Sequence, residues 1–220
     1  MIVAIDFGIT NTDVALSDNS QYKFFSMPSK NANESFIDEI MSFIDIDITE
    51  INKIAVTGGK SNELNESFKG VNLTKISETD AIGYGTKEIY KIENEPFITL
   101  SCGTGTACIH HQDGQFSYIG GIAVGGGTIS GLSKAILDSS SLEEITDLAL
   151  KGNRKNIDLL IGDVVNEIGI LNSNVTASNF AKLKNTNVFS KEDMSHAILN
   201  MVGEIIGTCL LYTSPSPRDQ

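Results

Sequence analysis

The sequence predicts an α/β protein made of two lobes of related design. Two observations carry that expectation. An apolar run, Ile2–Ile5, enters the turn DFGITNTD at positions 6–13 and resumes as a strand at Val14–Leu16. The same order returns at Phe97–Leu100, the turn SCGTGT at 101–106, and Ala107–His110. A duplicated strand, Gly/Thr turn and strand is what two lobes sharing one cleft would produce. The boundary falls near residue 95, giving an N-terminal lobe 1–95, a C-terminal lobe 96–210 and a separate tail 211–220.

The elements follow in order. After the first hairpin, Tyr22–Phe25 continues a β-meander across the polar DNSQ turn. Apolar residues at helical spacing (Phe36, Ile40, Met41, Phe43, Ile44) predict a helix over Ser35–Ile44. A strand at Ile54–Val56 ends in the turn TGGK, a polar helix or loop runs to Phe68, and a short strand occupies Leu73–Ile76. Asp80–Tyr90 reads as a helix despite Gly83 and Gly85, which weaken helical propensity. In the second half, Phe116–Ile119 reads as a strand and Thr128–Leu137 as a helix. Ser140 caps a further helix through Ala149, and two more cover Ala177–Leu183 and Glu192–Leu210.

Composition narrows the partners. The chain has 220 residues, a formal net charge of −12 and 40% hydrophobic residues, with mean hydropathy near zero. So acidic a protein lacks the basic surface that nucleic acid needs. No uninterrupted apolar segment approaches the roughly 18 residues of a membrane span. MIVAIDFGIT carries no basic n-region, so a cytoplasmic protein is expected, with no membrane partner. Cys102, Cys108 and Cys209 form no CxxC pair and read as buried thiols of a reducing compartment. His110 and His111 are strand neighbours, so they face opposite sides and serve structure rather than a shared ligand.

The glycine-rich turns carry the chemistry. In the first, Gly8 allows close backbone approach, and Thr10, Asn11 and Thr12 are small donors that can wrap a terminal phosphate. Asp6, at the strand end, is a candidate for holding Mg²⁺ through water. Alone, such a turn is as readily a plain hairpin. The second turn repeats the device with Gly103, Thr104, Gly105 and Thr106, and Gly125, Gly126 and Gly127 then open a helix. A helix start behind glycines favours an anion, because unpaired N–H groups and the dipole point towards it. Together the three predict a nucleotide cleft.

Over nearly its whole native length the chain resembles type II pantothenate kinases, members of the sugar-kinase/actin-like ATPase superfamily. The matching stretches are VTGG (56–59), ISETDAIGYG (76–85), GTGTACIHHQDGQ (103–115), GGIAVGGGTISGL (120–132), EEITDLALKGNRKNIDLL (143–160), NVTASNFAKL (174–183) and MVGEIIGTCLL (201–211). The resemblance implies a ribonuclease H-like, two-lobed actin-like ATPase fold with the second lobe incomplete. It implies phosphoryl transfer from ATP, with Mg²⁺, to the terminal hydroxyl of pantothenate, the first step towards coenzyme A, in a homodimer. Asp6, Gly8, Ile9, Thr10, Asn11, Thr12 and Asp13 would form the first phosphate loop, and Gly103–Gly105 with Gly125, Gly126, Gly127, Thr128, Ile129 and Ser130 the rest of the ATP site. Glu78 falls where the family places its catalytic base; spacing alone would equally make it a helix N-terminal acid favoured by the dipole. Tyr118 falls at a substrate-binding position.

Three residues depart from the family pattern. Ile9 stands where a second glycine is usual, so the loop takes another path or the position has ordinary φ. Asp13 stands at a lysine position, and Tyr118 replaces an arginine that contributes to substrate binding and charge stabilisation; a phenol cannot neutralise a carboxylate. These departures also admit a kinase acting on another small hydroxylated substrate, or a nucleotide-binding protein without turnover. The ending CLLYTSPSPRDQ resembles translated sequencing-adapter read-through, so a truncated chain with a non-native tail is expected.

Overall fold

The computed structural model describes residues 1–18, 21–59, 61–165, 172–185 and 188–213. The chain divides into two compact units, Met1–Thr99 with Ile109–Tyr118, and Leu100–Cys108 with Ile119–Gln220.

The first unit is built on a six-stranded sheet. Strands β1 (Ile2–Phe7), β2 (Asn11–Asp18) and β3 (Gln21–Pro28) form the expected meander. After helix α1 (Glu34–Phe43) come β4 (Lys53–Thr57), β5 (Ser67–Phe68) and β6 (Val71–Lys75), in the spatial order β3-β2-β1-β4-β6-β5. β1 and β4 are parallel, as are β4 and β6. Alternation decides what each face does. Val3, Ile5, Phe7, Val14, Leu16, Ile54 and Val56 are buried on one face and join Phe36, Ile37, Ile40 and Met41 of α1 in one core. Burying each such side chain contributes roughly 1.5–3 kcal/mol. The helix starts where Asn33 Oδ1 accepts from the Phe36 N–H at 2.9 Å. Ala4, Asp6, Asp13, Ala15, Ala55 and Thr57 occupy the opposite face, over a cavity of about 550 Å³.

Helix α2 (Glu78–Tyr90) completes this unit. It begins earlier than its spacing predicted, because Ser77 caps it, accepting from the Asp80 N–H at 3.0 Å and donating to the Asp80 carboxylate at 2.7 Å. Gly83, which argued against a helix, is required by packing. A Cβ there would run into the Phe116 ring. Strands β7 (Phe97–Cys102), β8 (Thr106–Gln112) and β9 (Gln115–Ile122) form a three-stranded sheet in that order. His111, 1% exposed, lies between Phe97 and Phe116 with ring centroids 4.8 and 5.0 Å away. It is a core residue, while His110 on the other side of β8 is half-buried.

In the second unit, α3 (Gly126–Leu137) and α4 (Leu142–Ala149) precede β10 (Leu159–Leu160), α5 (Ile161–Val164), β11 (Thr176–Ser178) and α6 (Lys191–Thr213). Leu137 and Ile157 pack with Met194, Ala197 and Ile198 in its core. Several expectations are corrected here. α4 is capped by Ser141, not Ser140, through the Glu144 N–H at 3.2 Å. Ala177–Leu183 is not an α-helix: β11 is followed by a 3₁₀ turn at Ala181–Asn185. Thr176 and Asn179 there bond to Glu204 instead of supporting helical turns. α6 continues past Leu210 to Thr213, so the tail's first residues are helical, and 214–220 lie outside the described residues. By length and composition α6 could cross a membrane, yet Met194, Ala197, Ile198 and Val202 on it are buried in protein. Of the cysteines only Cys108 is buried; Cys102 is exposed and Cys209 half-buried, and none forms a disulfide.

Candidate active site

In the first unit the β1–β2 hairpin closes over Gly8–Thr10, and Asp6 and Asn11–Asp13 lie within its strands. The loop is held from outside. Ser29 donates its hydroxyl to the Gly8 carbonyl at 2.6 Å, and its N–H donates to Thr10 O at 3.0 Å. Thr12 is fully buried, with Oγ1 3.0 Å from Ser29 Oγ. The Thr12 hydroxyl therefore braces the loop through Ser29. Sequence reasoning missed Ser29, and no motif marks it. Ile9 is 81% exposed and absent from the residues with positive φ, which is why a β-branched residue fits where glycine is usual.

Asp6 is the electrostatic centre of this unit. It pairs across the sheet with Asp13 on one side and Thr57 on the other, and Gly58 and Gly59, both at positive φ, pack against Phe7 beside it. Lost solvation, then the charges of Glu78 and Asp13, raise the Asp6 pKa above the ordinary carboxylate value. Its carboxyl is open to solvent at one side, so the surrounding sheet removes only part of its hydration. Glu78 is the exposed first residue of α2. Asp13 and Glu78 are thus each within electrostatic reach of Asp6. Among the described residues, no group of three or more His, Cys, Asp or Glu side chains could hold a metal ion. Asp6 suits a magnesium ion that keeps most of its waters, since such ions bind through one or two carboxylates. Thr57, whose buried hydroxyl has no partner, is a second feature the sequence gave no sign of.

In the second unit the Gly/Thr turn lies on the start of α3. The N–H of Gly126 donates to Gly103 O at 2.8 Å and that of Gly127 to Thr104 O at 3.1 Å. The Thr128 and Ile129 N–H groups both donate to Gly125 O, at 3.0 and 3.1 Å, and the Gly125 N–H donates to Thr128 Oγ1 at 3.2 Å. The expectation that Gly125–Ile129 offer unpaired amides to an anion is therefore corrected: those donors are already engaged. They serve as a platform for the outward loop Gly103–Gly105. Gly103 and Gly105 are not the donors in any of these bonds, so the loop Gly103–Gly105 is the part of this turn whose amides could hold an anion. Close approach explains the glycines. A Cβ on Gly125 would lie 2.6 Å from Gly105 O, and one on Gly127 would lie 2.9 Å from Thr104 O. Thr106, 7% exposed, fixes the other side of the loop by donating to Val124 O at 2.8 Å. Ser130 is half-buried within α3, and Tyr118 is exposed on β9 in the first unit.

The Fumble family model matches residues 9–215. The type II pantothenate kinase of Bacillus anthracis is 31% identical over 212 residues, spanning 93% of this chain and 74% of the relative. That of Bacillus cereus strain ATCC 14579 is 32% identical over 210 residues, at 93% and 75%. Among solved structures, component A of (R)-2-hydroxyglutaryl-CoA dehydratase from Acidaminococcus fermentans superposes with a TM-score of 0.62 at 17% identity, covering 98% of this chain and 80% of that one. The activator of 2-hydroxyisocaproyl-CoA dehydratase from Clostridium difficile, solved with bound ADPNP, gives 0.62 at 16% identity, covering 98% and 77%. The fold is that of the actin-like ATPases, and the chain belongs to the Fumble family, whose curated relatives here are type II pantothenate kinases.

Proposed function

We propose that this protein uses ATP to phosphorylate the terminal hydroxyl of pantothenate, the first step towards coenzyme A. The observation that supports the reading is the likeness to type II pantothenate kinases over 93% of the chain, with Glu78 at the first turn of α2. The base stands at the first turn of α2, near enough for its charge to raise the Asp6 pKa. Glu78 takes the proton of the acceptor hydroxyl as the new phosphorus–oxygen bond forms. The amides of Gly103 and Gly105 hold phosphate oxygens of ATP, on the platform supplied by Gly125–Ser130. In the first unit, the hairpin residues Gly8–Asn11, fixed by Ser29, are a candidate phosphate-binding turn of their own. Asp6 would hold a Mg²⁺ ion, which when bound would supply the charge neutralisation that these carboxylates lack.

The same reading makes the enzyme a cytoplasmic homodimer; light scattering on the purified chain tests the dimer. The activity is tested by following ADP release with and without pantothenate. Release that depends on pantothenate and Mg²⁺ is expected. A second reading, nucleotide binding without turnover, is favoured by Asp13 alone, since it puts a negative charge across the sheet from Asp6. ATP-induced thermal stabilisation with no ADP under any acceptor would establish that instead.

A further inference from the structure

We propose that Gly58 is the positioning residue of the Asp6 carboxylate: its bare Cα seats one carboxylate oxygen and leaves the other for the cation that accompanies ATP. The inference rests on the reading of Asp6 as the magnesium residue and names what sets that residue's geometry.

Asp6 and Thr57 form the last pair of the parallel β1–β4 ladder, and the chain turns immediately after it. Gly58 and Gly59 are both left-handed, at φ 72° and 41°, a region that glycine enters without steric cost. What a side chain would meet differs between them. A Cβ on Gly58 would run into Oδ1 of Asp6 and lie 2.9 Å from Phe7 O. A Cβ on Gly59 would lie 2.6 Å from Phe7 O, and its three nearest atoms all belong to Phe7, the farthest at 3.7 Å. Oδ1 of Asp6 thus occupies the place of the side chain that Gly58 lacks.

Both sides of this contact are anchored. Phe7, next to Asp6 on β1, is 3% exposed and packs on Phe36 with ring centroids 6.1 Å apart. The turn is held from behind, because the buried Ser61 donates its N–H to Gly58 O at 3.1 Å. Ser61 O in turn accepts from the N–H of Leu64 at 3.2 Å, and Leu64 belongs to the core of this unit. The seat is therefore fixed relative to the sheet. Asp6 remains exposed as a residue, so with Oδ1 against backbone it is Oδ2 that is offered to a hydrated cation. Support behind a ligating carboxylate is typically worth about 10–100-fold in metal affinity.

The test is calorimetric titration of the full chain with ATP, once in Mg²⁺ and once in a chelator; the ratio of the two affinities is the cation's contribution. That ratio should fall at least about 10-fold in Gly58→Ala. Gly59→Ala carries the backbone strain without the carboxylate contact, so it should lower Tm yet keep the ratio within about 2-fold. A merely structural turn would move both variants alike. Asp6→Glu keeps the charge but carries the carboxylate one methylene past the seat, and it too should lose about 10-fold in the ratio; it decides the matter if Gly58→Ala does not fold. In an Asp6→Asn background, Gly58→Ala should change the ratio by less than about 2-fold, because the charge it positions is gone. A wild-type ratio in Gly58→Ala or in Asp6→Glu overturns the proposal, as do equal losses in the two glycine variants. An Asp6→Asn chain that keeps the wild-type ratio would instead remove the cation reading of Asp6, and this inference with it.

Discussion

Replacing Gly125 by alanine probes the platform under the second loop. Its φ of −178° is extended backbone that any residue adopts, so the effect would be purely steric. The added methyl would sit 2.6 Å from Gly105 O, 2.8 Å from Gly105 C and 2.9 Å from Gly103 O. All three are backbone atoms of the anion loop, so no side chain can swing away. The loop must retreat by roughly half an ångström or more to approach ordinary contact distances, weakening the Gly126–Gly103 hydrogen bond of 2.8 Å. Overpacking of this kind costs about 1–3 kcal/mol, and each kcal/mol is roughly 2–4 °C in Tm for a chain of this size. Because the displaced loop carries the candidate phosphate amides, ATP affinity should fall at least about 10-fold. Gly131→Ala on the same helix is the control. A Cβ there meets nothing within 4 Å, so removing a helix-interior glycine should stabilise by about 0.5–1 kcal/mol. Thermal melts and nucleotide titrations of both variants decide the matter. If Gly125→Ala melts and binds ATP like the wild type, or if both variants shift the same way, the platform is misassigned.

Three further outcomes are expected. Gly83→Ala should destabilise the first unit by about 1–3 kcal/mol, since its Cβ enters a Phe116 ring already packed by Phe97, His111 and Tyr84; an unchanged melting temperature would contradict that packing. Asp6→Asn should raise Tm at neutral pH while weakening Mg²⁺-ATP binding. The folded-state pKa of Asp6 is raised, so its ionisation opposes folding, and its favourable contribution is complete only below about pH 4 and lost as pH rises through the folded value. The gain should therefore shrink as pH falls towards 4, and a gain that grows on acidification would refute it. Arg154→Ala should cost about 3–5 kcal/mol, because it leaves the fully buried Asp158 without its ion-pair partner at 3.4 Å; a denaturant midpoint within error of wild type would overturn that.

Much of the first unit was legible in the sequence because its strands alternate cleanly: Val3, Ile5 and Phe7 point to one face, Ala4 and Asp6 to the other. The glycine turns were legible as turns between strands, but the division of labour within them was not. Whether an amide faces a ligand or a neighbouring carbonyl depends on how two loops stack, and the stacking of Gly125–Gly127 on Gly103–Gly105 is a contact between segments about twenty residues apart. The bracing of Thr12 by Ser29 was hidden for the same reason, since it depends on a contact between residues seventeen apart. Ala177–Leu183 failed as a helix because long-range bonds from Thr176 and Asn179 to Glu204 outweigh local propensity.

The most direct test of the central claim is transfer of labelled γ-phosphate from ATP to pantothenate, measured on the wild type and on Glu78→Ala. Glu78 is exposed at a helix start, so the variant should fold and still bind ATP. Label should appear in phosphopantothenate with the wild type and fall by about 10²-fold or more with Glu78→Ala. Undiminished transfer by the variant would contradict the assignment of the base, and no transfer by a wild-type chain that binds both ATP and acceptor would contradict the kinase.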